Sequence, residues 1–176
     1  MKLLWGCFIL FVVGLFSCAS SEQVPDIDVS ELPRPKFEQL RPRSLELEVE
    51  NIRRVNVEAG NEKEVSAEVA RVLKQIFSES GIVVGPSPNR LKMLIRSCPD
   101  SEKGFECVRL ESELRTKSKE FHVISSWEHA YVDQFGRNAY AYGEISPSYQ
   151  GAIKLFLERL DEKLGGAKTR DEDRRD

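Results

Sequence analysis

Apolar and polar residues alternate along several short stretches of the chain, which is the pattern of β-strands with one buried face. The alternation is strictest over residues 45–49, where leucine or valine alternates with glutamate, and it extends towards Val57 after a slip of phase typical of a bulge. A short apolar run follows at 82–84. Further strands are predicted around 91–95, 108–114, 121–131 and 139–145.

Two longer stretches repeat apolar residues every three to four positions, which predicts amphipathic helices. The first begins near Asn61, which stands three residues before Glu64 as in a capping box, and ends at Gly81. The second begins at Ser146-Pro147, an N-cap followed by a proline at the first helical position, and ends at Gly165-Gly166. The predicted apolar faces are Val65, Val69, Val72, Leu73, Ile76 and Phe77 in the first helix, and Tyr149, Ile153, Phe156, Leu157, Leu160 and Leu164 in the second.

Two one-sided helices are suited to cover one face of a sheet. We therefore expect an α+β fold, a two-layer sandwich in which an antiparallel sheet of about four to five strands carries both helices on one face. The expected order is β-α-β-β-β-(β)-α. The opposite face of the sheet is expected to be largely polar.

The N-terminus carries the most specific motif. After Met1-Lys2, residues 3–16 form an almost purely apolar run of about 14 residues, as in a secretory signal peptide. A membrane-spanning helix needs roughly 20 apolar residues, so this run is too short for a permanent transmembrane anchor. It leads into Leu15-Phe16-Ser17-Cys18, with leucine three residues before the cysteine and a small residue directly before it. This motif resembles the lipobox of bacterial lipoproteins, although Phe16 is bulkier than the usual residue at its position.

The resemblance implies that the chain is cut before Cys18, that the Cys18 thiol receives a diacylglyceryl group and that the new amino group is acylated. Because each buried CH₂ contributes about 0.8 kcal/mol, two or three acyl chains hold a protein on a membrane essentially permanently. An aspartate directly after the lipobox cysteine would resemble an inner-membrane retention signal. Residue 19 is alanine instead, which favours the outer membrane. The alternative is an ordinary secretory signal whose cleavage site happens to contain a cysteine.

Of the four cysteines, Cys7 lies in the apolar run and Cys18 is assigned to the lipid, which leaves Cys98 and Cys107. An even pair in an exported protein favours a disulfide, here across the turn-rich tip of a hairpin. The alternative is a redox or metal-binding pair. Neither cysteine has another cysteine or a histidine at zinc-ligand spacing, so no metal site is predicted.

The two ends of the mature chain differ in composition from its centre. Residues 18–44 contain four of the eight prolines among mixed charges, which is typical of an extended tether that buries little apolar surface. Residues 168–176 are nearly all charged, as in a solvated disordered tail. We expect a signal peptide over 1–17, a Pro-rich tether over 18–44, a sandwich domain over 45–165 and a charged disordered tail over 166–176.

The charge balance and the motifs argue against nucleic-acid binding and catalysis. The chain has 26 Lys and Arg residues against 29 Asp and Glu residues, a net charge of −3 that gives no reason to bind a polyanion. His122 and His129 stand near Ser125 and Ser126, but their odd separation places them on opposite faces of a strand. No GxSxG, HExxH, P-loop or GxGxxG pattern occurs. We predict no enzymatic activity, and no cofactor other than the covalent lipid; no small-molecule substrate is identifiable.

Aromatic residues are dense around the hairpin that follows the fourth main strand: Trp127, Tyr131, Phe135, Tyr140, Tyr142 and Tyr149. Trp and Tyr dominate the hot spots of protein interfaces, so the first five of these are candidate partner-binding residues. The alternative is that the group fills the core between the sheet and a helix.

Taken together, the element order, the tether and the lipobox resemble the layout of the lipopolysaccharide-assembly lipoproteins that support an outer-membrane β-barrel. They are also similar to small envelope lipoproteins that activate peptidoglycan synthases or serve transporters as accessory subunits. The resemblance implies a periplasmic binding or assembly module with an envelope protein as its partner. The alternatives are a surface-exposed lipoprotein that mediates host or cell-surface interactions, and a periplasmic hydrolase.

Overall fold

Parallel and antiparallel pairings both occur in the sheet of this protein, for which a computed structural model describes residues 24–53, 62–99, 105–130 and 146–165. In chain order the elements are β1 (Ser44–Asn51), α1 (Glu62–Glu79), β2 (Val83–Val84), β3 (Arg90–Ser97), β4 (Phe105–Arg115), β5 (Glu120–Ala130) and α2 (Ser146–Lys163). The five strands lie in the order β2-β1-β3-β4-β5.

This architecture confirms the predicted α+β sandwich with two helices. The sheet is mixed rather than purely antiparallel, because β1 runs parallel to both β2 and β3, whereas β3, β4 and β5 form antiparallel hairpins. The parallel pairing of β1 with β3 follows from the connection between them. A chain that leaves one strand, forms a helix on the face of the sheet and returns enters the next strand in the same direction.

The cross-strand register aligns the apolar positions of the strands on the helix-covered face. Leu91 on β3 pairs with Leu114 on β4, which in turn pairs with Phe121 on β5. Two residues further along β3, Met93 lies opposite Ser112, whose hydroxyl donates to the carbonyl of Val123 at 3.0 Å. Register is strongly specified here, since a slip of one residue would turn every apolar side chain to solvent.

Both helices bury the faces that their periodicity predicts. On α1 these residues are Val65, Val69, Val72, Leu73, Ile76 and Phe77, and on α2 they include Tyr149, Ile153, Phe156, Leu157 and Leu160. The helices end where predicted, at Gly81 with φ of 72° and Gly165 with φ of 82°, in the left-handed region that glycine adopts at low cost.

The prediction of a free tether is wrong for residues 24–43, which we call the strap. Four apolar side chains of the strap are buried in the domain core: Ile27, Leu32, Phe37 and Leu40. Phe37 packs against Phe77 of α1 with ring centroids 5.7 Å apart. Prolines and mixed charges suggested solvated chain, but these four residues supply enough apolar surface to dock it on the helices.

Polar contacts of the strap follow α2 from its first turn to its last. The N–H of Asp26 donates to the Ser146 hydroxyl at 2.9 Å, and the carbonyl of Asp28 accepts from the Gln150 amide at 2.9 Å. Near the other end of the helix, the N–H groups of Lys36 and Phe37 both donate to one carboxylate oxygen of Asp161, at 2.9 and 2.7 Å. The strap therefore runs alongside α2 in the same direction.

Asp161 also explains an unusual backbone conformation. Phe37 has φ of 43°, a left-handed conformation that costs a side-chain-bearing residue roughly 1–2 kcal/mol. The turn brings two successive N–H groups onto the same carboxylate while the ring stays fully buried. Burial and charge-assisted hydrogen bonds therefore fix a conformation that the isolated chain would avoid.

The strap is also joined to the end of α1. The guanidinium of Arg43 donates to the carbonyls of Ser80 at 2.8 Å and Lys36 at 3.0 Å, and Arg34 pairs with Glu79 at 2.6 Å. A hydrogen bond from Gln75, and a smaller effect of the one from Arg34, hold the pKa of Glu79 below its ordinary value. Through Ser80, Arg43 thus supplies a hydrogen-bond donor and a positive charge at the C-terminal end of α1, where helix carbonyls lack partners.

Several predicted features lie outside the described residues. They are the signal peptide, Cys18, the extension of the first strand beyond 53, the strand at 139–145, the tail at 166–176, and the aromatic residues Tyr131, Phe135, Tyr140 and Tyr142. The side chain of His129 also lies outside the described part. These remain predictions.

We predict that Leu40→Ala lowers the free energy of unfolding by about 2–5 kcal/mol, because it removes a fully buried side chain from the core. Urea denaturation of the mature protein measures this change. Glu38→Ala, an exposed site two residues earlier in the strap, is the matched control and should change stability by less than about 0.5 kcal/mol. A Leu40→Ala protein as stable as the control would show that the strap is a free tether after all.

Candidate interaction surface

Trp127 is a large apolar side chain that the domain holds at its surface. It belongs to the helix-covered face of β5, opposite Val108, yet 46% of the residue is exposed. Its indole ring lies against Gly151 of α2, so closely that a Cβ at position 151 would overlap the ring carbons. Glycine at this position therefore forms a notch in the helix surface into which the indole fits.

The notch has an energetic cost that the tryptophan contact offsets. Glycine in a helix interior is less favourable than alanine by about 0.5–1 kcal/mol. Close to the notch, the Ser125 hydroxyl donates to the carbonyl of Ala152 at 3.0 Å and joins the same strand to the same helix. The ring is thereby held in one orientation with part of its surface open, which is the form of a pre-organised binding side chain.

Tyr149, the other described aromatic residue of the predicted group, differs from Trp127 in its burial. Tyr149 is fully buried, and the Arg53 guanidinium carbon lies 5.9 Å from its ring centroid. Arg53 itself is 6% exposed, and its backbone N–H donates to the Asn51 side chain at 3.0 Å. Sequence reasoning missed Arg53 because it stands in a polar stretch after β1, with no periodicity that would indicate burial.

Cys98 and Cys107 form the predicted disulfide, with Cα atoms 5.6 Å apart. The bond ties the residue that follows β3 to the third residue of β4, beside the end of the sheet where α1 and α2 begin. Cys107 is buried, at 7% exposure, in line with a structural bond rather than an accessible redox pair. Because the bond closes a loop of about ten residues, it lowers the entropy of the unfolded chain and stabilises the fold by roughly 3 kcal/mol in the chain-entropy model.

The face of the sheet that carries no helix, which we call the outer face, is covered by ion pairs, as its predicted polarity suggests. Acidic and basic side chains meet across neighbouring strands or along one strand: Glu46 with Arg90, Glu48 and Glu50 with Lys92, Glu111 with Arg96 and Arg109, and Glu113 and Glu120 with Arg115. Val83 on β2 and Ile124 on β5 are exposed large apolar residues of this face. Exposed pairs of this kind add little stability each, but they keep a flat sheet face solvated.

His122 belongs to the outer face and lies near two carboxylates. One ligand atom each of Glu113, Glu120 and His122 fall within 4.8 Å of one another, and the His122 Nε2 atom is 2.7 Å from Glu120. Arg115, however, contacts both carboxylates. Since the protein already supplies a positive charge at this cluster, these groups are engaged as ion pairs rather than set out for a metal ion. The cluster is also open to water, with 65% of the His122 side chain exposed.

Comparison with known proteins gives structural similarity only. No protein-family model matches the chain, and no curated protein matches it in sequence. Similar solved structures include a Xanthomonas campestris protein of the DUF330 family, at 13% identity and a TM-score of 0.43, over 79% of this chain and 97% of that one. A minor lipoprotein from Acinetobacter baumannii has 9% identity and a TM-score of 0.37, over 71% and 94% of the two chains. The PelC dodecamer of Paraburkholderia phytofirmans has 12% identity and a TM-score of 0.31, over 74% and 93%.

Among the described residues, no helix has the length and apolarity needed to cross a bilayer.

We predict that Gly151→Ala displaces the indole of Trp127, because the new methyl group would occupy the position of the ring. If residues 1–17 are removed as predicted, Trp127 is the single tryptophan of the mature chain, so tryptophan fluorescence measures the environment of this one ring. Its fluorescence should shift to longer wavelength and become more accessible to acrylamide. The control is Gly85→Ala, where the added Cβ meets nothing within 4 Å. Unchanged emission in Gly151→Ala would contradict the notch.

Proposed function

We propose that this chain is a lipoprotein, anchored to the outer membrane through Cys18, whose α+β domain is a periplasmic binding module for an envelope protein complex. The observation that carries the proposal is the half-exposed Trp127 fixed on Gly151. The lipobox-like motif at 15–18 supplies the anchor. The covalent lipid is the only non-protein group that this function requires.

The strap sets the distance between the domain and the membrane. Cys18 precedes Val24, the first described residue, by six positions. An extended chain covers at most about 3.6 Å per residue, so this connection reaches about 20 Å. A lipid on Cys18 therefore holds the domain close to the bilayer instead of letting it stand off on a long tether.

Under this proposal, one end of the domain would lie nearest the membrane. Asp26 contacts Ser146 at the start of α2, and Trp127 contacts the same helix at Gly151, its sixth residue. We call this the anchored end of the domain. A partner that engages Trp127 would meet it near the bilayer, as expected of a membrane-embedded protein or one seated at the membrane surface.

The described polar groups favour binding over catalysis. A general base works best where water is restricted and its partner groups are free to exchange protons. His122 is mostly exposed, and both carboxylates beside it are engaged by Arg115. A rigid half-open indole, by contrast, is the type of residue that dominates interface energetics.

We predict that Trp127→Ala weakens binding of the envelope partner so that it no longer co-purifies. The lipidated wild-type protein and the variant would be purified from native envelopes in mild detergent, and the accompanying proteins quantified by mass spectrometry. A hot-spot residue contributes about 2 kcal/mol or more, so an envelope protein recovered in stoichiometric amount with the wild type should fall by about thirtyfold.

Val83→Ala is the matched control, because Val83 is also apolar and is 69% exposed, but lies on β2 at the far edge of the sheet. It should retain the partner. Equal recovery with both variants, when both melt like the wild type, would refute Trp127 as the binding residue.

We further predict that Cys18→Ala abolishes incorporation of labelled palmitate in growing cells, because it removes the thiol that receives the lipid. Cys7→Ala is the control, since Cys7 lies in the apolar run that the proposal removes. Labelled protein in Cys18→Ala cells would reject the lipid anchor without bearing on Trp127.

A further inference from the structure

One edge of the sheet has backbone groups that no described residue hydrogen-bonds. β2 pairs with β1 only at Ser44 and Leu45, and the N–H of Gly85 makes the last contact by donating to the Leu45 carbonyl at 2.9 Å. Alternate residues of β1 point to the same side, so the N–H and C=O groups of Leu47 and Val49 face outward past the end of β2. Among the described residues no hydrogen bond reaches them.

The open stretch is bounded at both ends. After β2, the chain continues through Gly85 and Pro86, and proline has no N–H with which to extend the ladder. At the other end the N–H of Asn51 donates to the Ser66 hydroxyl of α1 at 2.9 Å. Between these limits four backbone groups are available, enough to receive a short extended segment.

The side chains along this edge are unusually uniform. Every outer-face residue of β1 between 46 and 50 is a glutamate: Glu46, Glu48 and Glu50. Towards the neighbouring strand β3, the three glutamates share two basic side chains. Glu46 lies 3.2 Å from Arg90, and Glu48 and Glu50 lie 3.5 and 3.6 Å from Lys92. Among the described residues these three glutamates form no ion pair other than those with β3. Leu47 and Val49, on the other face, are half-buried against the core.

The opposite edge of the sheet is covered near its middle. On β5 the guanidinium of Arg159 from α2 donates to the backbone carbonyl of Ile124, in the middle of the strand. An incoming strand would have to displace this charge-assisted hydrogen bond. Between residues 47 and 49 of β1, no described side chain makes a comparable hydrogen bond to the backbone.

We propose that the β1 edge binds an extended segment of a partner protein, in which basic side chains alternate with apolar ones, as an added strand. Its backbone pairs with Leu47 and Val49, its basic side chains meet the three glutamates on the outer face, and its apolar side chains extend the core face. A second copy of this chain does not fit, because β1 placed beside β1 in either direction brings glutamates next to glutamates.

The proposal is independent of Trp127 and of the lipid. It assigns a second surface, on the side of the sheet edged by β1, to a partner of defined chemistry.

The test uses the lipidated mature protein in detergent with two synthetic peptides, acetyl-Lys-Val-Lys-Val-Lys-Val-Lys-amide and its counterpart with Glu in place of Lys. Peptide binding is followed by fluorescence anisotropy, and backbone contact by hydrogen exchange of the Leu47 and Val49 amides. The lysine peptide should bind and slow exchange at both amides, and should bind more weakly as salt is raised. The glutamate peptide should do neither.

Glu48→Lys should lower the affinity for the lysine peptide by about tenfold, because it replaces a cross-strand attraction by a repulsion. For the same reason it should raise the affinity for the glutamate peptide. Glu128→Lys, an exposed change on β5 at the far edge, should leave both affinities unchanged. If Glu48→Lys lowers the melting temperature, Glu48→Gln replaces it, with the same direction and a smaller effect.

Failure of the lysine peptide to bind would overturn the proposal, as would binding without protection of the Leu47 and Val49 amides. Protection of these amides without peptide would also overturn it. In that case dependence on protein concentration would assign the edge to a second copy, and independence would assign it to the chain's own residues. Trp127→Ala should leave peptide binding unchanged, so a failure here and a failure of the proposed Trp127 site are separate results.

Discussion

The burial of Phe37 and Leu40 in the domain core is the constraint on which the geometry of this protein depends. It turns a proline-containing segment into part of the domain and determines where the chain enters it. If residues 24–43 were loose, a lipid on Cys18 would say nothing about the orientation of the sheet. Since they are docked along α2, from Ser146 to Leu164 just after the helix, a lipid on Cys18 would attach to one particular end of the sandwich.

The elements with a clear period could be predicted from the sequence, and those held by isolated contacts could not. Both helices follow from apolar residues at helical spacing, and β3 to β5 follow from alternation. Strand direction does not appear in an alternation pattern, which is why the parallel pairing of β1 was not predicted. The strap was missed for a similar reason, because Ile27, Leu32, Phe37 and Leu40 are spaced by no regular period.

The candidate surfaces show the same division. The density of aromatic residues in the sequence singled out Trp127, and the disulfide followed from counting cysteines. Gly151 could not be identified as its support, because a lone glycine in a helical stretch has many causes and its partner is 24 residues away in the chain. The open β1 edge depends on where β2 stops and on the presence of Arg159 at the other edge, both of which are facts of tertiary structure.

The strap also has a consequence for the order in which the protein folds. Its contacts join residues about 120 positions apart, such as Asp26 with Ser146 and Phe37 with Asp161. The strap is the first described segment to emerge during synthesis and α2 is the last, so the contacts between them form only when nearly the whole chain is available. Contacts between such distant residues carry a large loop-closure entropy and slow folding. Until α2 docks, the strap is held only by its contacts with α1, such as Phe37 with Phe77, and its apolar side chains are incompletely covered. A chaperone that shields this short segment would protect the unfinished chain from aggregation.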